Sequence, residues 1–155
     1  MSEKILFKEA VIPSPVADVW RAWTTNEGVR TFFAPDSKIE LKIGGRYEIL
    51  FDEGVPGQRG SEDCVILSYL PEKMLSYNWS APPHLPNVRK ERTWVVILFE
   101  AISPGATQLK FYELGWGEGE EWEQCYAYFD RAWGIVLSRL QQRFETGPLD
   151  WRTIG

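Results

Sequence analysis

The sequence predicts an α+β domain in which a long C-terminal helix covers an antiparallel sheet. Two patterns carry this expectation. Between about Gly119 and Glu145 the residues Trp122, Tyr126, Phe129, Trp133, Val136, Leu137, Leu140 and Phe144 recur in steps of three and four, as one face of a helix requires. Between residues 39 and 114 the pattern changes to period two, in short segments separated by glycine- and proline-containing turns. A chain of 155 residues, 44% apolar and 25% charged, has the size and composition of one globular core.

Each element follows in order. Ile5 to Ile12 alternates loosely and ends at Pro13, which reads as a strand. Ser14-Pro15 is the pairing expected of a helix cap followed by a proline in the first turn, and Val16, Trp20 and Trp23 continue at helical spacing. Asn26 is expected to open a second short helical turn through Val29 and Phe33, stopped by Pro35. Ile39 and Leu41, then Tyr47, Ile49 and Phe51, alternate with charged residues on either side of Gly44-Gly45, so two strands and a tight turn are expected. Cys64 to Tyr69 and Leu75 to Trp79 form a further pair around Pro71-Glu72-Lys73. After a proline-rich loop, Ala81 to Asn87, the β-branched run Thr93 to Phe99 turns at Ser103-Pro104-Gly105 into Thr107 to Leu114. The last helix carries Glu118, Glu120, Glu121 and Glu123 at its start and Arg139 and Arg143 near its end, matching the helix dipole, and Gly147-Pro148 stops it. At 1.5 Å per residue it is about 40 Å long, enough to cross a whole sheet.

Charge and side-chain inventory exclude several classes. With 17 Lys and Arg against 22 Asp and Glu the net charge is −5, which argues against a nucleic-acid or anionic-membrane partner. No apolar run approaches the roughly 20 residues that span a bilayer. The two cysteines, Cys64 and Cys125, form no CxxC pair or disulfide framework, and MSEKILFKEAV is not a secretory signal, so a cytoplasmic location is expected. One histidine, His84, provides neither a zinc site nor a catalytic triad. No metal and no cofactor is expected.

The aromatic content is the unusual feature: 14% of the chain, with eight tryptophans. The helix stripe begins with Trp122, Tyr126, Phe129 and Trp133 before turning aliphatic, and large flat rings are hard to pack to full density. A sheet curled around this helix would enclose an aromatic cavity near the helix N-terminal half, walled by Tyr47, Ile49, Phe51 and Trp79. Trp20, Trp23 and Trp133 suit a solid core, whereas Trp116, between two glycines, and Trp122 are better placed to line or gate a cavity. Leu109, Phe111 and Glu113 share one strand face. If that face points inward, Glu113 is a carboxylate with a raised pKa, a candidate general acid or base. The alternative places it in solvent before Gly115.

The segments VIPSPVADVWRAWT, IELKIGGRYEI, LPEKMLSYNWS and YFDRAWGIVLSRLQQRFETGP resemble the family named for homologues of the activator of the heat-shock chaperone ATPase, the Aha-type family of the START-like, helix-grip superfamily. The most specific matches are Pro15 to Trp20, Gly44-Gly45, and Trp133, Leu137 and Leu140 followed by Glu145 and Gly147. The resemblance spans nearly the whole chain and implies one START-like domain over residues 1–155. It also implies a curved sheet gripping the C-terminal helix around a deep apolar pocket. Members include carriers, cyclases and chaperone activators, so the fold leaves the activity open.

The residues then favour binding of a small apolar or aromatic molecule by Tyr47, Ile49, Phe51, Trp79, Phe111, Glu113, Trp116, Trp122, Tyr126 and Phe129. A cofactor-free cyclase or hydrolase, with Glu113 or a tyrosine moving a proton, is the enzymatic alternative. A chaperone partner ranks third, because no linker to a second domain is seen. An exposed edge strand leaves room for a homodimer.

Overall fold

The computed structural model describes residues 3–153. The chain runs β1 (Leu6–Ile12), α1 (Val16–Thr24), α2 (Asn26–Val29), β2 (Asp36–Ile39), β3 (Tyr47–Leu50), β4 (Ile66–Leu70), β5 (Met74–Trp79), α3 (Pro86–Arg89), β6 (Thr93–Ser103), β7 (Ala106–Leu114) and α4 (Glu120–Thr146), with a final 3₁₀ turn at Trp151–Thr153. Five antiparallel strands form a curved sheet in the order β1-β7-β6-β5-β4. β2 and β3 make a separate antiparallel pair. Bridges from Arg46 to Val65 and from Leu50 to Gly60 join it to the segment leading into β4.

Alternation sets the inner face. Leu6, Val95, Ile97, Leu109, Phe111, Leu75, Tyr77, Tyr47 and Ile49 are fully buried and face α4 and the α1–α2 layer. On α4 the buried residues are Cys125, Phe129, Trp133, Val136, Leu137 and Leu140, the expected stripe. Trp133 packs against Phe111 with ring centroids 4.5 Å apart. Trp23 fills the space under α2, edge-on to Phe32 at 5.0 Å and Phe33 at 5.5 Å.

Several local expectations are corrected. Ser14 does not cap α1: Pro15 holds the cap position and no side chain caps the helix. Ser14 instead belongs to a turn, its N–H donating to Ile12 O at 2.8 Å, and its carbonyl accepts from Thr107 Oγ1 at 2.9 Å. Asn26 does not cap α2 either. Thr25 does, accepting from Gly28 N at 2.9 Å, which frees Asn26 Oδ1 to accept from Ser37 Oγ and Ile39 N and so tether β2. α2 is also shorter than expected, ending at Val29.

Leu41 lies outside β2 and is exposed, because the chain turns from Glu40 onward, with Lys42 N donating to Glu40 O and Gly44 adopting φ +77°. β3 ends at Leu50, so Phe51 leaves the inward parity of Tyr47 and Ile49 and is 44% exposed. β4 begins two residues after Cys64, following a turn at Ser61–Asp63 in which Asp63 takes φ +67°. The proline-rich loop contains α3, which has Pro86 in its first turn.

Candidate functional site

A cleft of about 370 Å³ opens between the sheet and one flank of α4. Phe33 is central among its aromatic residues: its ring stacks on Trp79 at 5.8 Å, meets Trp133 edge-on at 5.8 Å and lies 6.0 Å from Phe51. Phe129 stacks on Trp133 at 5.9 Å. Val136 and Ala132 continue this lining along the helix. Phe51, Tyr128 and Ile135, each 44% exposed, border the opening.

The remaining lining comes from two loops, residues 52–60 and 80–83, and Arg89 holds them together. Its Nη2 donates to Gly57 O at 2.7 Å and Gly60 O at 2.9 Å, and its Nη1 donates to Ala81 O. Glu62 lies 3.7 Å from the guanidinium and also accepts from Arg59 N and Gly60 N. α3 itself is anchored from α4, where Glu121 accepts from Asn87 N at 2.9 Å, Asn87 Nδ2 at 3.0 Å and Val88 N at 3.2 Å. These bonds hold the Glu121 carboxyl below the usual carboxylate range.

The sequence-derived residues fall into three groups. Phe51, Trp79 and Phe129 line the cleft. Tyr47, Ile49, Phe111 and Glu113 are fully buried and do not line it. Tyr47 stacks on Tyr77 at 4.2 Å and donates to Trp23 O at 2.7 Å, so its hydroxyl finds a backbone partner in the core. Burial raises the pKa of both phenols well above the ordinary value. Trp116, Trp122 and Tyr126 form a separate half-buried cluster near the start of α4, with Trp116 edge-on to Tyr126 at 4.9 Å and to Trp122 at 6.2 Å. Trp116 Nε1 donates to Glu113 O at 2.9 Å, which ties its glycine-flanked loop to the end of β7.

Glu113 points inward. Its Oε1 accepts from Trp133 Nε1 at 2.8 Å and its Oε2 from Thr93 Oγ1 at 2.7 Å. Burial pushes its pKa up to about 8, against the opposing effect of these two bonds. It reaches the cleft only through Trp133. Both cysteines are buried and free, with thiols pushed up by burial to about 11 for Cys64 and about 12 for Cys125. Among the described residues no group of three His, Cys, Asp or Glu side chains converges to hold a metal, and no helix is long and apolar enough to cross a membrane.

Sequence reasoning missed the helix flank Tyr128, Ala132, Ile135 and Arg139. Its spacing of four, three and four is legible, one position before the buried stripe of Phe129, Trp133, Val136 and Leu140. Phe33, Arg59 and Arg89 lie outside any long periodic segment and carried no such signal.

A curved antiparallel sheet closed over a long C-terminal helix, with an apolar cleft at their junction, defines a helix-grip domain. The family model for Activator of Hsp90 ATPase homolog 1-like protein matches residues 13–145, and the chain belongs to that family. Solved structures agree with the fold. Protein MLL2253 from Mesorhizobium loti is 23% identical, with a TM-score of 0.75 over 94% of this chain and 100% of that one. The Aha1 dimer from Colwellia psychrerythraea, a solution structure, is 18% identical, with a TM-score of 0.71 over 93% of this chain and 98% of that one. CalU16 from Micromonospora echinospora is 18% identical, with a TM-score of 0.69 over 98% and 80%. At these identities the likeness shows the fold alone. No curated protein sequence matches the chain.

Proposed function

We propose that the protein binds one small apolar or aromatic molecule in the cleft between the sheet and α4. The observation that carries this reading is an aromatic-lined cleft that opens to solvent: the buried Phe33, Trp79, Phe129 and Trp133 line a space bordered by the exposed rings of Phe51 and Tyr128. Its volume, about 370 Å³, lies in the range of small-molecule sites. Apolar surface removed from water contributes about 25 cal/mol per Å², so a bicyclic aromatic ligand gains most of its affinity from contact with these rings. Glu113 acts in this reading as a positioning residue, fixing the plane of Trp133 from behind.

The test is a fluorescence titration with the neutral probe N-phenyl-1-naphthylamine. Saturable one-to-one binding that quenches tryptophan emission is expected. Ala132→Phe, which fills the cleft from the helix side, is expected to abolish it while the protein remains folded. Unsaturable binding, or binding indifferent to Ala132→Phe, overturns the reading.

A further inference from the structure

We propose that the ligand is an organic anion, an apolar or aromatic body with one acidic group, whose head is met by Arg139 and Arg59 at the mouth of the cleft. This rests on the cleft being the binding site, and adds the class of molecule it selects.

Charge on the lining is unevenly distributed. Arg59, Arg89 and Arg139 contribute three cations, against the single carboxylate of Asp52, although the chain as a whole carries −5. The three arginines are not equivalent. Arg89 is committed to Glu62 and to the loop carbonyls it holds. Arg59 donates through Nε to Gly54 O at 3.1 Å, and among the described residues its guanidinium pairs with no carboxylate. Arg139 stands on the cleft flank of α4, its guanidinium 5.7 Å from the centre of the Trp151 ring, likewise with no carboxylate partner among the described residues. Asp52 is exposed, and its Oδ1 already accepts from Gly54 N at 2.7 Å.

The uncommitted charged groups lining the site are therefore mainly the guanidiniums of Arg59 and Arg139. A neutral apolar ligand makes no use of these two cations. A carboxylate, sulfonate or phosphate at the mouth satisfies them, since a guanidinium forks two N–H groups onto one oxyanion. At a partly desolvated rim the charge attraction exceeds its value in bulk water. Arg139 and Arg59 approach from the helix side and the loop side, so they fix which end of the ligand faces out.

The experiment compares 8-anilinonaphthalene-1-sulfonate with N-phenyl-1-naphthylamine, which shares its aromatic body and lacks the sulfonate. Both are titrated into the wild-type protein, an Arg59→Gln/Arg139→Gln double variant, and an Arg131→Gln control on the exposed face of α4. Wild type is expected to bind the sulfonate at least about tenfold more tightly than the neutral probe. The double variant is expected to lose that preference while neutral-probe binding stays within about twofold, which also certifies its fold, and Arg131→Gln is expected to change neither. Equal affinity for the two probes in wild type, or a preference that survives in the double variant, overturns the anionic head group and leaves the apolar site standing. Saturable binding of neither probe overturns the site itself, and this inference with it.

Discussion

Trp133 Nε1 donates to Glu113 Oε1 at 2.8 Å, linking the middle of α4 to the end of β7 through a carboxyl with no solvent exposure. Thr93, on β6, donates to the other oxygen. One side chain thus connects the sheet, the helix and an aromatic ring of the cleft. A buried carboxyl is tolerated here because both of its oxygens have partners and its neutral form is favoured.

That arrangement sets a pH dependence. Glu113 titrates near 4.5 when unfolded and at about 8 in the fold, so between those values the native state retains a proton that the unfolded chain has lost. Its contribution is complete below about pH 4.5 and is lost as pH rises toward 8, at up to about 1.4 kcal/mol per pH unit. Glu113→Gln keeps an acceptor for Trp133 and cannot ionise. Urea denaturation from pH 5 to 9 is expected to show the wild-type midpoint falling more steeply than the variant's; parallel curves would refute this.

Trp133→Phe retains an aromatic ring but leaves Oε1 without its donor. A loss of about 1–3 kcal/mol is expected, the range for an orphaned buried polar group. Because the Trp133 bond lowers the carboxyl's pKa, the upper end of the falling limb should also move to higher pH while its onset near pH 4.5 stays in place. A double-mutant cycle with Glu113→Gln should give a coupling above about 0.5 kcal/mol, and strict additivity would count against the link.

Phe51 and Phe33 touch the same cleft but should respond differently. Phe51→Ala removes a half-exposed ring and is expected to weaken naphthylamine binding about three- to tenfold with little change in melting temperature. Phe33→Ala removes a fully buried one and should lower stability by about 3–5 kcal/mol. Thermal melts beside the titrations separate the two.

Gly115 has φ +90°, and a Cβ there would lie 2.6 Å from the Trp94 ring. Gly115→Ala combines backbone strain with that overlap and is expected to destabilise by about 1–3 kcal/mol, read by denaturant titration. A neutral result would mean that the β7-to-α4 loop can rearrange freely.

Glu121→Ala removes the acceptor for two backbone N–H groups of α3. Hydrogen exchange should quicken at Asn87 and Val88 while the middle of α4 stays protected. Because the folded pKa of Glu121 is depressed, acidification through that pKa should have the same local effect in the wild type. Unchanged exchange in both would show that α3 is held by other contacts.

The long helix and the strands of the main sheet were legible because period and alternation are local properties of side-chain direction. The stripe from Phe129 to Leu140 and the inward Leu109 and Phe111 emerge with the expected parity, and Glu113, which the sequence left open between cavity wall and solvent, continues that face. Capping was less legible, since Ser14, Thr25 and Asn26 are all competent caps and the choice depends on partners elsewhere, such as Thr107 for the Ser14 carbonyl and Ser37 for the Asn26 side chain. The candidate site was legible only in part. Phe51, Trp79 and Phe129 reach the cleft, whereas Tyr47 shares Phe51's strand pattern and is sealed beneath Tyr77.

By itself the sequence determined an α+β domain, the long aromatic helix, the alternation along β7 and an aromatic excess suited to a cavity. Tertiary structure alone decided which rings meet solvent. Two loops distant in sequence, 52–60 and 80–83, are drawn together by Arg89 beside the Tyr128–Arg139 flank of α4. Burial of a ring depends on what closes over it, and here that is loop backbone whose path has no sequence period.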